Sequence, residues 1–128
     1  MITGLDHVTI LVRDWEGTIE QYKKIFGTDQ VRFSPPTPGR GYKAAHIDFG
    51  NGQNIEIITP TDENGPWAQR LAKNGDGIYL FSLSVDDVEQ TAAEMRARGV
   101  RLPEPIAGLQ VIHPSSAGGA LVLMSQQR

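Results

Sequence analysis

Apolar and polar residues alternate through Leu5–Asp14 (LDHVTILVRD), so Leu5, His7, Thr9 and Leu11 point to one side of an extended chain and Asp6, Val8, Ile10 and Val12 to the other. This spacing predicts a strand with one mixed face and one apolar face. At Asp14 the period changes. Trp15, Ile19, Tyr22 and Phe26 recur at helical spacing, with Asp14 placed to cap the helix and Gly27 to end it. The helix is expected to lie on the Val8, Ile10, Val12 face. In the following VRFSPPTPGRG, Pro35, Pro36 and Pro38 with Gly39 and Gly41 exclude helix and central strand, which leaves a loop or an edge excursion. Alternation returns over Tyr42–Phe49, with Ala44, His46 and Asp48 on one face and Ala45, Ile47 and Phe49 on the other. Gly50-Asn51-Gly52 then predicts a hairpin into NIEIITP.

The stretch GPWAQRLAKNGDG, with Pro66 early and Gly75 late, predicts a short bridging helix. Beyond it, Ile78–Asp87 (IYLFSLSVDD) reads as a worn copy of the opening stretch. At constant offset Val12 meets Val85, Asp14 meets Asp87 and Thr18 meets Thr91, but His7 meets Leu80. Asp86 or Asp87 caps a second helix carrying Val88, Ala92 and Met95 and ending at Gly99, with Asp86 and Glu89 in capping-box spacing. LPEPIAGLQVIHPSSAGG is loop-rich with a strand around Leu109–Ile112, and ALVLM forms a last strand after Gly118-Gly119. The order is strand, helix, strands, twice over.

Composition narrows the classes of function. A chain of 128 residues with 39% apolar content is one domain with a real core. Net charge is −3 and no Lys/Arg cluster occurs, so a nucleic-acid partner has no electrostatic footprint. There is no cysteine, which removes disulfides, zinc-thiolate sites and thiol nucleophiles together. No apolar run approaches the roughly 20 residues of a membrane helix, and MITGLDHV lacks signal-peptide character, so a soluble cytoplasmic protein is the expectation.

The duplicated order, together with LDHVTILVRD, AQRLAKNGDGIYLFSLSVDDV and HPSSAGGALVLM, resembles the vicinal oxygen chelate superfamily, which includes glyoxalase I, extradiol dioxygenases and bleomycin-resistance proteins. The resemblance is strongest to its methylmalonyl-CoA epimerase branch. It implies an α+β fold in which tandem βαβββ repeats, about residues 1–64 and 76–128, form an open, cupped eight-stranded sheet with helices outside. It also implies a homodimer and a small-molecule ligand. In that family each repeat gives two ligands to a divalent metal that polarises a carbonyl for proton transfer. The matching positions are His7, Glu56, Leu80 and Leu123. Two of the four are leucine, so the resemblance implies an incomplete site at His7 and Glu56, at most a weakly held divalent ion, and otherwise no cofactor.

Glu56 stands among Ile55, Ile57 and Ile58, where a carboxylate needs a partner. His7 and Glu56 could pair as an oriented general base, or simply satisfy one another structurally. An enolate would need an electrophile such as His46, Arg40 or Lys43. Leu80 and Leu123 give the cavity an apolar wall, with His46 as a further ligand-binding candidate. His113, before Pro114, reads as a turn former, and Trp15 and Trp67 as packing residues. Three readings stay open: an isomerase or lyase acting on an acyl or thioester substrate, a metal-free binder like the bleomycin-resistance branch, and a pseudoenzyme with a filled cavity.

Overall fold

The computed structural model describes residues 1–105 and 109–127. The part of the expected loop formed by Ile106, Ala107 and Gly108 lies outside them. The first strand, β1 (Ile2–Leu11), begins before the alternation at Leu5. Helix α1 (Trp15–Phe26) follows, and its ends obey the sequence. Asp14 Oδ1 accepts from the Gly17 N–H at 3.0 Å. Gly27, at φ 67°, takes the left-handed conformation that glycine tolerates and donates to the Lys23 carbonyl.

The chain divides into two compact units, Val8–Tyr79 and Met1–His7 with Leu80–Arg128, so β1 contributes residues to each. In the Val8–Tyr79 unit, β2 (Arg32–Phe33), β3 (Tyr42–Asp48) and β4 (Asn54–Pro60) are ordered β2-β3-β4-β1. The edge strand β2 stops where the prolines begin, as the edge reading anticipates. Strands β3 and β4 are antiparallel around the Gly50–Gly52 turn, pairing Ala44 with Ile58, Ala45 with Ile57 and His46 with Glu56.

That register sorts the side chains. Ala45, Ile47 and Ile57 join Val12 and Ile19 in a core that also takes Trp15, Tyr22 and Phe26 from α1. The opposite face carries Leu11, Ala44 and Ile58, over which Leu71 packs from helix α2 (Pro66–Asn74), bordered by Tyr42, Trp67 and Tyr79. Both faces of these strands are therefore covered at this point, and the isoleucine-rich run of β4 follows from it. Truncating a fully buried residue such as Ile57 to alanine is in the range that costs about 2–5 kcal/mol.

In the other unit, β5 (Gly77–Val85), β6 (Gln110–Ile112) and β7 (Val122–Gln126) are ordered β1-β5-β7-β6, with β5 and β7 parallel and β6 and β7 antiparallel. Helix α3 (Val88–Ala97) packs Val88, Ala92 and Met95 against Val85 and Met124. Its cap is Asp87, whose Oδ1 accepts from the Gln90 N–H at 3.0 Å. Asp86 is not the cap, because its carboxylate instead accepts from the Met1 ammonium at 2.7 Å. That ammonium holds the Asp86 carboxyl below its ordinary range. His113 does shape a turn, accepting at Nδ1 from the Ser115 N–H at 3.0 Å. Seven strands are present among the described residues, against the eight expected. Arg101–Pro105 forms none, since Pro103 and Pro105 cannot donate to a ladder.

Candidate active site

Because residues two apart share a strand face, His46 and Glu56, directly opposite in the β3–β4 ladder, point the same way as Ala44 and Ile58, away from α1. Thr9 on β1 is 1% exposed and donates its hydroxyl to Glu56 Oε1 at 2.6 Å. The other oxygen, Oε2, lies 3.7 Å from His46 Nε2. Side chains of both His46 and Glu56 are mostly buried, at 11% and 16% exposure, so the charge of Glu56 acts through little water.

The imidazole of His46 is held from two sides. Its Nδ1 lies 2.9 Å from Asn54 Oδ1, and an amide oxygen can only accept, so Nδ1 carries a hydrogen. In the neutral ring the Nε2 lone pair then receives the Ser34 hydroxyl, at 2.8 Å. A proton taken up at Nε2 would point to acceptors, Ser34 Oγ and Glu56 Oε2. The arrangement is an acid–base group of fixed tautomer beside a carboxylate.

Next along this face stand Tyr42 and its neighbours. Burial, reinforced by the Glu56 carboxylate, pushes the Tyr42 hydroxyl above its ordinary pKa of 10.0, against an opposing pull from Arg40. Burial likewise raises Tyr79, with Arg70 opposing. Trp67 meets both rings edge-on, at centroid distances of 4.9 Å from Tyr42 and 5.3 Å from Tyr79.

In the other unit His7 Nδ1 is 2.7 Å from Asp6 Oδ2, so a carboxylate orients this imidazole too. Leu80 and Leu123 share one face of the β5–β7 pair, Leu123 standing opposite Ser82. That apolar face is interrupted by a partly buried hydroxyl pair, Ser82 Oγ and Ser125 Oγ, 2.5 Å apart. His7 lies in one unit and Glu56 in the other.

Thr9, Ser34, Asn54, Tyr42 and Asp6 carry site geometry that the sequence reading did not single out. For two of them a signal existed. A hairpin centred on Asn51 pairs His46 with Glu56 and Asp48 with Asn54, which is the observed register. Thr9 lies on the His7 face of β1 and could have been proposed as a donor. The Ser34 contact depends on the loop path and has no sequence signal.

The fold and this site define a class. The sequence model of the Glyoxalase/Bleomycin resistance protein/Dioxygenase superfamily matches residues 6–111, and the chain belongs to that superfamily. Within it, the chain is similar to methylmalonyl-CoA epimerases. The mitochondrial enzyme of Dictyostelium discoideum is 27% identical over 98% of this chain and 80% of its own length. The crystal structure of the Mycobacterium tuberculosis enzyme has TM-score 0.82 and 32% identity, covering 99% of this chain and 89% of that one. A Streptomyces coelicolor epimerase variant in complex with 2-nitronate-propionyl-CoA has TM-score 0.79 and 26% identity, covering 99% of both chains.

The residues fit a tightly held divalent metal poorly. His46 and Glu56 offer two donors, and no group of three or more His, Cys, Asp or Glu gathers among the described residues. Stable sites ordinarily take three or four protein donors. No helix among the described residues is long and apolar enough to cross a membrane.

Proposed function

We propose that this chain is an epimerase-like isomerase that moves a proton on the carbon next to the carbonyl of an acyl thioester, with His46 and Glu56 as the acid–base pair. The observation that carries the reading is the fixed imidazole. Asn54 commits the hydrogen to Nδ1, leaving Nε2 as the basic atom 3.7 Å from a carboxylate in a mostly buried setting. The acyl-thioester class is taken from the epimerases, one of which holds an acyl-CoA analogue. The same proposal includes the two-copy reading of the fold, β1-α1-β2-β3-β4 followed by β5-α3-β6-β7, supported by the matching element order. It also includes a degenerate metal site, supported by leucine at positions 80 and 123.

Proton transfer then proceeds on protein groups. The α-proton passes to His46 Nε2 by way of the Ser34 hydroxyl, the C–H electron pair going into the enolate of the thioester, and is then returned to the carbon, while Glu56, steadied by Thr9, balances the imidazolium charge. His7, oriented by Asp6, is a separate candidate base in the other unit. The test is solvent deuterium exchange into the α-carbon of an acyl-CoA panel, followed by mass spectrometry. Wild-type protein is expected to exchange at least one member. His46→Gln and Glu56→Gln should each lower the rate about 10²-fold or more, the usual reach of general acid–base catalysis, and His7→Gln reports whether the second base takes part. No exchange above buffer for any member sinks the reading. Thioester binding without exchange would favour the metal-free binder, which the apolar Leu80 and Leu123 face supports.

A further inference from the structure

The Pro-rich excursion between β2 and β3 ends in an arginine that is fixed with unusual thoroughness. The Arg40 N–H donates to the Thr37 carbonyl at 3.1 Å, and the Arg40 carbonyl accepts from Trp67 Nε1 at 3.1 Å. The next carbonyl, of Gly41, accepts from the Thr61 N–H at 2.9 Å. Gly41 stands at φ 83°, and a side chain there would begin 3.2 Å from the Trp67 ring, so backbone and indole are packed against each other. The guanidinium lies over the Tyr42 ring at 4.4 Å, and its Nε donates to the Tyr42 carbonyl at 3.3 Å.

This immobilised cation is half-buried, yet no carboxylate comes within 4.0 Å of it among the described residues. The two Nη atoms make no hydrogen bond among the described residues, and neither does the hydroxyl of Tyr42, whose ring lies under the guanidinium. No fully buried side-chain polar atom is unsatisfied, so these donors reach solvent. The second guanidinium of the aromatic row, that of Arg70, lies over Tyr79 at 5.0 Å and also lacks a carboxylate partner among the described residues.

We infer that Arg40 and Tyr42 form an oxyanion-binding site, in which the outer edge of the guanidinium and the phenol hydroxyl grip a carboxylate or phosphate group of the ligand. The planar fork of arginine suits either group. Stacking on Tyr42 and the pinned backbone reduce the ordering cost of binding. The electrostatic coupling of Tyr42 to both Arg40 and Glu56 ties the site to the acid–base pair on the same strand face. The inference concerns binding alone and takes from the proposed function only the class of probe.

Calorimetric titration with four thioesters separates the sources of the oxyanion: malonyl-CoA, propionyl-CoA, malonyl-pantetheine and propionyl-pantetheine. Pantetheine forms lack phosphate, and propionyl forms lack the acyl carboxylate. Arg40→Gln is expected to weaken binding about 10- to 100-fold, from the worth of a charged hydrogen bond, and Tyr42→Phe several-fold. Loss confined to the malonyl pair assigns the site to a carboxylate, and loss confined to the CoA pair to a phosphate; either supports the site. Circular dichroism of Arg40→Gln checks that its fold is intact. Unchanged affinity in Arg40→Gln for every probe overturns the inference, as does absence of wild-type binding to all four. Because the readout is equilibrium binding, loss at Arg40 without any deuterium exchange would keep the site and remove only the isomerase reading.

Discussion

Asn54 is 4% exposed, and its value to the site lies in what an amide oxygen cannot do. It cannot donate, so it fixes which nitrogen of His46 is basic. Asn54→Leu would free the imidazole to swap tautomers and strand its Nδ1 hydrogen. The exchange rate is expected to fall about 10-fold or more with a displaced pH–rate profile, and stability by about 1–3 kcal/mol for the unpaired donor. Asn54→Asp keeps an acceptor at that place and should restore much of the rate and profile; urea unfolding and pH–rate curves check both. A merely structural role would lower stability and leave the profile unmoved. The sequence marked His46 and Glu56 individually, through alternation and through a carboxylate among isoleucines. It did not join them, because that required turning the Gly50–Gly52 hairpin into a register. Arg40 was legible as a candidate electrophile in a proline-rich loop that nothing in the sequence placed; its immobility comes from Trp67 and Thr61, which lie distant in sequence.

Among the elements, helix α1 was the most legible, since cap, stripe and stop all agree. Its cap also explains an otherwise odd glycine at the third helical position. A Cβ on Gly17 would fall 2.2 Å from Asp14 Oδ2, so any side chain there evicts the cap. Gly17→Ala therefore sets a helix-propensity gain of about 1 kcal/mol against a capping loss of about 1 kcal/mol. Little net change in thermal midpoint is expected. In an Asp14→Ala background the cap is already lost, and Gly17→Ala should then stabilise by the full propensity gain, which a double-mutant cycle by calorimetry measures. The second half was less legible for a physical reason. Prolines leave Arg101–Pro105 without a strand, as the loop-rich sequence there indicated, and two adjacent aspartates competed for one cap until Met1, far away in sequence, took Asp86.

For the molecule as a whole, the two raised tyrosines set a limit at alkaline pH. In the folded chain Tyr42 and Tyr79 keep their protons above the ordinary 10.0, whereas the unfolded chain releases them there. Their contribution to stability is thus complete below about pH 10 and declines as pH rises through the folded-state range. The urea midpoint should fall between about pH 9 and about pH 11, and less so in the Tyr42→Phe, Tyr79→Phe double variant, which has no such protons to lose. The β3–β4 register has a different kind of consequence. The residues that face α1 and those that bear the acid–base pair alternate along the same two strands. A slip by one position would drive His46 or Glu56 beneath the helix and expel isoleucines into water. Chains that mispair here cannot persist with the pair merely misplaced, since the error that displaces it also removes the core. Folding thereby acts as its own quality control, and every molecule that survives it presents the pair correctly.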